Sequence, residues 1–275
     1  MDRDRYSRVL AEFDGLVELG VAVSIKVVGM QPEPMYLNYL DAIYTKLLAH
    51  AISLRKLSPI FSEQTSQLWD FPSACAIARC LIEAHDVLGY MSHEGEGPDE
   101  RDFRVLLWRL HDAHRRIKMA TAIGSTHPHF LKTREKAESL THEVMSHSQY
   151  PKISIEMQRK IRTGDAPHAT LTQRGMNERN GVDHDYHTAA TMWLSQYVHT
   201  YPMAVHQLRA FRAGTPEALG MSAMPIQYAC GFLASAIFKM AEAFPVATPQ
   251  PTATQARAFE TWRAVVRSGV KSSLK

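Results

Sequence analysis

The feature that most constrains the fold is an apolar spacing near 3.6 residues, which recurs along almost the whole chain. One example runs through Phe103, Leu106, Leu107 and Leu110. This period places apolar side chains on one side of a helix, whereas a half-buried strand would alternate at every second residue. The sequence therefore predicts an all-α fold: a single-domain helical bundle of about eight helices.

Changes in composition suggest where this bundle ends. Residues 1–246 carry the recurring stripes, and residues 247–254 are rich in Pro and Thr, as in a linker. Residues 255–275 then form a C-terminal amphipathic helix, expected to pack on the bundle or on a partner subunit. Residues 163–182 hold three Gly and interrupt the periodicity, so we expect a long irregular loop there, either functional or mobile.

Composition favours a folded cytoplasmic protein. The apolar share is 45% and the net charge is +3, with basic residues scattered rather than clustered. The most apolar stretch, residues 226–244, carries Lys239 and Glu242, which favours a buried helix over a membrane span. Three cysteines are too few for a disulfide framework, so we expect reduced thiols.

A charged stripe runs along the third predicted helix. Arg79, Glu83 and Asp86 are spaced by four and three residues and so share one side of it. The rest of this helix is apolar over more than half of its circumference. Two interpretations stay open: the stripe is an exposed, ion-paired face, or it points into a polar pocket.

A helix predicted over residues 183–199 carries a second polar column. Its members are small hydroxyl side chains between two imidazoles: His184, Thr188, Thr191, Ser195 and His199. Ser195 and His199 are four apart and can reach each other or a ligand. Ser195 is not expected to be a nucleophile, because no strained Gly-x-Ser-x-Gly turn surrounds it.

The start of this helix offers the best metal candidates, Asp183 and His187, which are four residues apart. Acidic residues are also favoured at helix starts by capping and by the helix dipole. We therefore predict no metal, with Asp183 and His187 as weak candidates. The chain has no Gly-rich phosphate loop or dinucleotide fingerprint, so no cofactor is predicted.

An Arg followed four to six residues later by a His is the motif of HEPN-type ribonucleases, which are helical. Arg109 to His114 and Arg179 to His184 match this spacing, as does Arg79 to His85. Three matches in one chain rich in Arg and His make the motif weakly specific. On a regular helix Arg109 and His114 would point about 140° apart, which favours a core position for His114.

The run Ala-Arg-Cys-Leu-Ile-Glu at 78–83 and the later Trp-Leu-Ser-Gln-Tyr-Val-His at 193–199 resemble an uncharacterised family of bacterial α-helical proteins. Its members pair an Arg-x-x-x-Glu helix with a later Ser-x-x-x-His helix, and the resemblance covers roughly residues 40–210. The family is distantly similar to HEPN-like domains.

This resemblance implies that four side chains converge from two helices: Arg79, Glu83, Ser195 and His199. It also implies a phage-defence or toxin-system component that acts by association. The alternative is a metal-independent HEPN-type ribonuclease that uses Arg and His residues. Whether the chain is an enzyme stays open. A homo-oligomer or a protein partner is compatible with either, RNA is expected only under the alternative, and no membrane is expected.

Overall fold

A computed structural model describes residues 1–30, 33–59, 69–93, 95, 97–165, 168 and 171–272. The fold is all-α: 81% is helical, and no strand occurs in these ranges. Parts of the predicted 163–182 loop and the last three residues of the chain lie outside the described residues.

The described part of the chain forms eleven α-helices. In chain order they are α1 (Arg3–Val27), α2 (Tyr36–Leu57), α3 (Phe71–Ser92), α4 (Pro98–Ala122), α5 (His129–Ser146), α6 (Ile155–Arg162), α7 (Gln173–Asn180), α8 (His184–Val198), α9 (Pro202–Ala210), α10 (Pro216–Ala243) and α11 (Ala253–Ser272).

The expected number of about eight helices is too low, for two reasons. The helix α7 lies inside the stretch expected to be irregular, and its sequence has no apolar stripe from which a helix could be predicted. The helices α8 and α9 are two elements, whereas only one helix, over residues 183–199, was predicted in this region. They are separate because Thr200 has a positive φ of 54° and Pro202 then begins a new helix.

The chain divides into two compact units by its internal contacts. The first unit comprises residues 1–92 and 177–275, and the second comprises residues 93–176. In the first unit α10 packs against α1, α2, α3 and α11, while α3 also packs against α2 and α8. The C-terminal helix α11 contacts α1, α8 and α10.

The central helix α10 is long and apolar enough to cross a membrane by length and composition. Within the first unit, however, 67% of its most apolar window is buried by other helices. Thr215 caps its first turn by accepting a hydrogen bond from Ala218 N, and Pro225 lies within it. Its apolar surface is used for packing, as expected for the core helix of a bundle.

The second unit has a hydrophobic core of its own. Phe103, Leu107 and Leu110 of α4 pack with Leu140 and Val144 of α5. This α4–α5 pair is completed by α6, whose Ile161 is also buried. A separate core is what makes a stretch of chain a compact unit.

Six core positions follow from the apolar stripes. Five are buried as expected: Leu81, Leu88, Leu107, Leu110 and Ile237. The sixth, Trp193, is only half-buried. It lies at the edge of an aromatic group, 5.7 Å from Phe71 and 5.2 Å from Tyr197 between ring centroids, so one side of the indole remains open.

Gly89 of α3 lies against the side chain of Asn180, the last residue of α7. A Cβ atom at this position would lie 2.1 Å from Asn180 Oδ1, well inside van der Waals contact. With the Asn180 side chain in this position, α3 has room only for glycine at position 89.

Candidate functional site

The stripe on α3 and the column on α8 meet along one helix–helix contact. Arg79 Nε donates to Ser195 Oγ at 3.4 Å, and Arg79 Nη2 lies 2.9 Å from Glu83 Oε1. Further along, Asp86 pairs with His187. Residue numbers rise on α3 as they fall on α8, so the two helices are antiparallel. We call Arg79, Glu83 and Ser195 the α3–α8 polar cluster.

This cluster is partly open to solvent. The Glu83 side chain is 64% exposed and the Arg79 side chain 24% exposed. A pair that solvent reaches contributes little to stability, so Glu83 is not the buried partner of a sealed network. Arg79 Nη1 is buried without a hydrogen-bond partner among the described residues, which leaves this guanidinium with unused donor capacity.

His199 does not join the cluster. It is the exposed C-cap of α8, its backbone N–H donates to Ser195 O, and its ring lies 5.4 Å from the ring of Tyr201. The column therefore divides: Ser195 faces α3, whereas His199 faces solvent at the end of the helix.

The two alternative Arg–His pairs have different surroundings. His184 Nδ1 accepts a hydrogen bond from Asn177 Nδ2 at 3.0 Å, while Arg179 is half-buried on α7. Arg109 and His114 both lie on the regular helix α4, where a five-residue separation directs them apart. His114 packs against Gly164, where an added Cβ would come within 2.3 Å of His114 Cβ.

The sequence analysis missed a buried polar chain through the first unit, formed by Ser235 of α10, His85 and Asp86 of α3, and His187 of α8. We call it the buried relay. His187 Nε2 donates to Asp86 Oδ2 at 2.8 Å, and His85 Nδ1 lies 3.5 Å from Asp86 Oδ1. On its other side, His85 Nε2 lies 2.9 Å from Ser235 Oγ. All four residues are buried.

Burial determines the charges in this relay. It lowers the pKa of His85, against the opposing influence of Asp86, so the ring is neutral at pH 7. Burial alone would raise the pKa of Asp86, but hydrogen bonds from His187 and His85 outweigh it and lower the pKa to about 2. Asp86 is therefore a carboxylate that accepts from two imidazoles, and neutral His85 can accept from the Ser235 hydroxyl.

Ser235, His85 and Asp86 have the order of a hydrolytic triad, but Ser235 cannot act as its nucleophile where it stands. The residue lies within the helix α10 and is 8% exposed, so a substrate carbonyl cannot approach Oγ. We interpret the relay as a hydrogen-bonded network that fixes how α3, α8 and α10 pack.

The weak metal candidates point to different partners. Asp183 caps α8 by accepting from Tyr186 N at 2.7 Å, whereas His187 is engaged by Asp86. Among the described residues no three His, Cys, Asp or Glu side chains gather in a way that could hold a metal ion.

The second unit contains an open cleft of about 460 Å³ between α4 and α5. Two imidazoles, a guanidinium and a carboxylate line it together with apolar and hydroxyl groups: His114, Ile117, Arg134, Ala137, Glu138, Thr141, His142 and Met145. Burial, reinforced by the charge of Lys118, lowers the pKa of His114, so its ring is neutral at pH 7. We call this site the α4–α5 cleft.

A third feature is the outer surface of α9. Tyr201, Val205 and Leu208 are spaced by four and three residues, and their exposed fractions are 48%, 41% and 39%. We call these three residues the α9 stripe. Residues 186–216 contain no Asp or Glu, and Arg209 and Arg212 are exposed beside the stripe. Tyr197 of α8 donates to Gln207, which attaches α9 to α8.

Comparison with family models, with curated proteins and with solved structures finds no match to this chain.

Proposed function

We propose that this protein acts by association with another protein, and that the α9 stripe is the surface that binds it. The supporting observation is an apolar stripe that stays exposed on a helix buried only through Ala204. Side chains at i, i+4 and i+7 are the anchors that a helix inserts into an apolar groove of a partner.

The charges beside the α9 stripe indicate which class of protein can bind it. The stripe lies in an acid-free stretch with two exposed arginines, so a complementary surface presents an apolar groove with carboxylates on its rim. A second copy of the chain would bring like charges together at this surface. A different protein with an acidic rim is therefore the proposed partner.

The resemblance on residues 78–83 and 193–199 adds a biological context to this proposal. It suggests a phage-defence or toxin-system component working in the cytoplasm. In this view the buried relay holds α8 in place through His187, and α8 in turn supports α9.

Photo-crosslinking in the cells that produce the protein tests the proposal. A benzophenone amino acid at Val205 should give a discrete adduct, and the same group at Ile25, which is exposed on α1, serves as the matched control. Mass spectrometry then identifies the captured protein. Arg209→Glu should remove the adduct, because it reverses the charge that the acidic rim requires.

Two results would contradict the proposal that the α9 stripe binds an acidic partner. Equal crosslinking from positions 205 and 25 would show that the α9 stripe is an ordinary surface. An adduct of twice the chain mass would identify a second copy and exclude the acidic partner.

The α4–α5 cleft supports a second candidate, metal-independent RNA cleavage. Such a reaction needs one imidazole as base, another as acid and a cation for the phosphorane charge. His114, His142 and Arg134 supply these groups, and the second unit has fourteen Lys and Arg against eleven Asp and Glu. In this mechanism the cation that acts with His114 is Arg134, rather than the Arg109 of the sequence motif.

Incubation with a short single-stranded RNA in EDTA tests the candidate. Cleavage should fall by a factor of about 10²–10⁴ in His114→Ala and in His142→Ala. His127→Ala, an exposed histidine of the same unit, should cleave like the wild type. Intact RNA with the wild-type protein would reject this candidate and leave association in place.

A further inference from the structure

An apolar pocket of about 370 Å³ opens in the first unit, away from the surfaces discussed above. Leu19 of α1, Ile237 and Phe238 of α10, and Phe259 of α11 form its walls. The residues that precede α11 close one side through Thr248, Pro249 and Pro251. Neither the sequence motifs nor the proposed function uses this pocket.

The walls are held in place by specific contacts. Lys26 Nζ donates to Thr248 O at 3.0 Å, which ties the proline-rich segment to the end of α1. Gln255 Nε2 donates to Glu18 Oε2 at 3.0 Å, which ties the first turn of α11 to the same helix. Two prolines further restrict the backbone between these ties. The pocket is therefore pre-organised rather than created by a ligand.

The rim carries two carboxylates, and each faces a cation on its own helix. Glu260 Oε1 lies 3.4 Å from Arg263 Nη1, and Glu242 attracts the largely buried Lys239. The Arg263 guanidinium also covers the ring of Phe238 at 3.6 Å. The rim is thus close to neutral, and the interior has no charge to satisfy an ionic ligand.

We propose that this pocket binds a small, neutral, apolar molecule. The volume of the pocket determines how large the ligand can be. For comparison, a cavity of about 150 Å³ binds one benzene. A volume of 370 Å³ is about two and a half times as large and therefore accommodates two to three aromatic rings, as in a naphthalene that carries a phenyl group. An anionic molecule with the same skeleton binds less well, because its charge would lose water without gaining a partner in the uncharged interior.

Two fluorescent probes with a common skeleton test the proposal on the full-length protein. N-phenyl-1-naphthylamine is neutral, and 8-anilino-1-naphthalenesulfonate adds a sulfonate. The neutral probe should saturate at one molecule per chain, with at least about tenfold higher affinity than the sulfonate. Equal affinities, or no saturable binding of the neutral probe, would overturn the proposal.

A filled pocket supplies the structural control. Ala256→Leu places three more carbon atoms in the pocket and should weaken binding of the neutral probe by about tenfold or more. Ala264→Leu, on the exposed side of α11, should stay within about twofold of the wild type. Circular dichroism and thermal melting verify that each variant is folded.

Ala241→Leu fills the same pocket from α10 and replaces Ala256→Leu if that variant does not fold. Unchanged affinity in a folded, filled variant would assign the probe to another surface and overturn the proposal. These measurements involve neither crosslinking at α9 nor RNA, so their outcome is independent of the proposed function.

Discussion

The two compact units are built from the same kind of helix but differ in how they treat polar groups. The first unit has seventeen basic and seventeen acidic residues, and it buries a relay of imidazoles and a carboxylate at its centre. The second unit has a net charge of +3 and eight of the fourteen histidines. Among its described residues it buries one charged pair, Arg104 with Glu100, but most of its ion pairs are exposed, such as Arg116 with Asp112.

The polar groups of the relay hold helices together, whereas the polar groups of the α4–α5 cleft are accessible to a ligand. In the first unit Asp86 is engaged by two imidazoles and determines how helices pack. In the second unit His142 and Arg134 line a cleft that a ligand can enter. A buried network favours stability of one arrangement, whereas exposed imidazoles and guanidinium groups favour binding or catalysis.

The strongest contrast should come from removing one carboxylate in each unit. Asp86→Ala leaves His85 and His187 without their acceptor and should lower the free energy of unfolding by roughly 2–6 kcal/mol, since each of the two orphaned buried donors costs about 1–3 kcal/mol. Asp112→Ala removes an exposed pair and should leave the urea midpoint unchanged. Comparable losses in the two variants would show that Asp86 is no more important than a surface charge.

Truncation of a core leucine in the second unit should have the next largest effect. Leu107 is 2% exposed, and Leu107→Ala should cost about 2–5 kcal/mol through lost burial and a residual cavity. Hydrogen exchange should then accelerate in α4, α5 and α6 while the protection of α10 persists. Equal acceleration in α10 would indicate that the two cores unfold together.

Acid should weaken the first unit before Asp86 titrates. The pKa of His85 is below its ordinary value of about 6.5, so the unfolded chain binds more protons below that pH and stability falls on acidification. Asp86, Ser235, His187 and Lys239 are the groups around this ring. The Asp86 contribution is lost only between about pH 4 and pH 2.

Urea unfolding at pH 7 and pH 5, monitored by hydrogen exchange in α3, measures this dependence. His85→Gln keeps hydrogen-bonding capacity without a titrating ring and should flatten the pH dependence between those values. An unchanged slope would assign the acid sensitivity to another group.

The smallest effect is expected at the α3–α8 polar cluster. Glu83→Ala removes a mostly exposed carboxylate and should change the free energy of unfolding by less than about 0.5 kcal/mol, as should Glu260→Ala on α11. A loss of several kcal/mol in Glu83→Ala alone would show that the Arg79–Glu83 pair is shielded from solvent. Thermal melting of both variants distinguishes these outcomes.

Local signals predicted much of the fold. Apolar periodicity located the long helices, and Asp183 was recognised as a helix N-cap from its residue type and position. Periodicity failed at α7, because a polar eight-residue helix is stabilised by contacts elsewhere in the chain. Residues 21–27 include several β-branched side chains, which are also common in strands, yet they form the last turns of α1.

The candidate site was harder to predict because its partners are distant in sequence. The resemblance implied that Arg79 approaches Ser195, and these two side chains are in contact. The α3 stripe also contains Asp86, and spacing alone does not reveal which carboxylate is buried. The partners of the relay are separated by 101 residues in the Asp86–His187 pair and by 150 in the His85–Ser235 pair. A signal was present in the sequence, namely a His and an Asp side by side on a helix otherwise rich in apolar residues.

The tight contact between Gly89 and Asn180 also limits which substitutions position 89 can accept. Every codon change that alters this residue adds at least one carbon atom where Asn180 already stands. A saturation library of α3 should therefore favour glycine at position 89, with losses that grow with side-chain size, because any substitution must displace the end of the Asn180 side chain. Glu83, six residues earlier, should accept most alternatives. A compensating change to a smaller residue at 180 should restore alanine first, so the two positions are expected to vary together over evolutionary time.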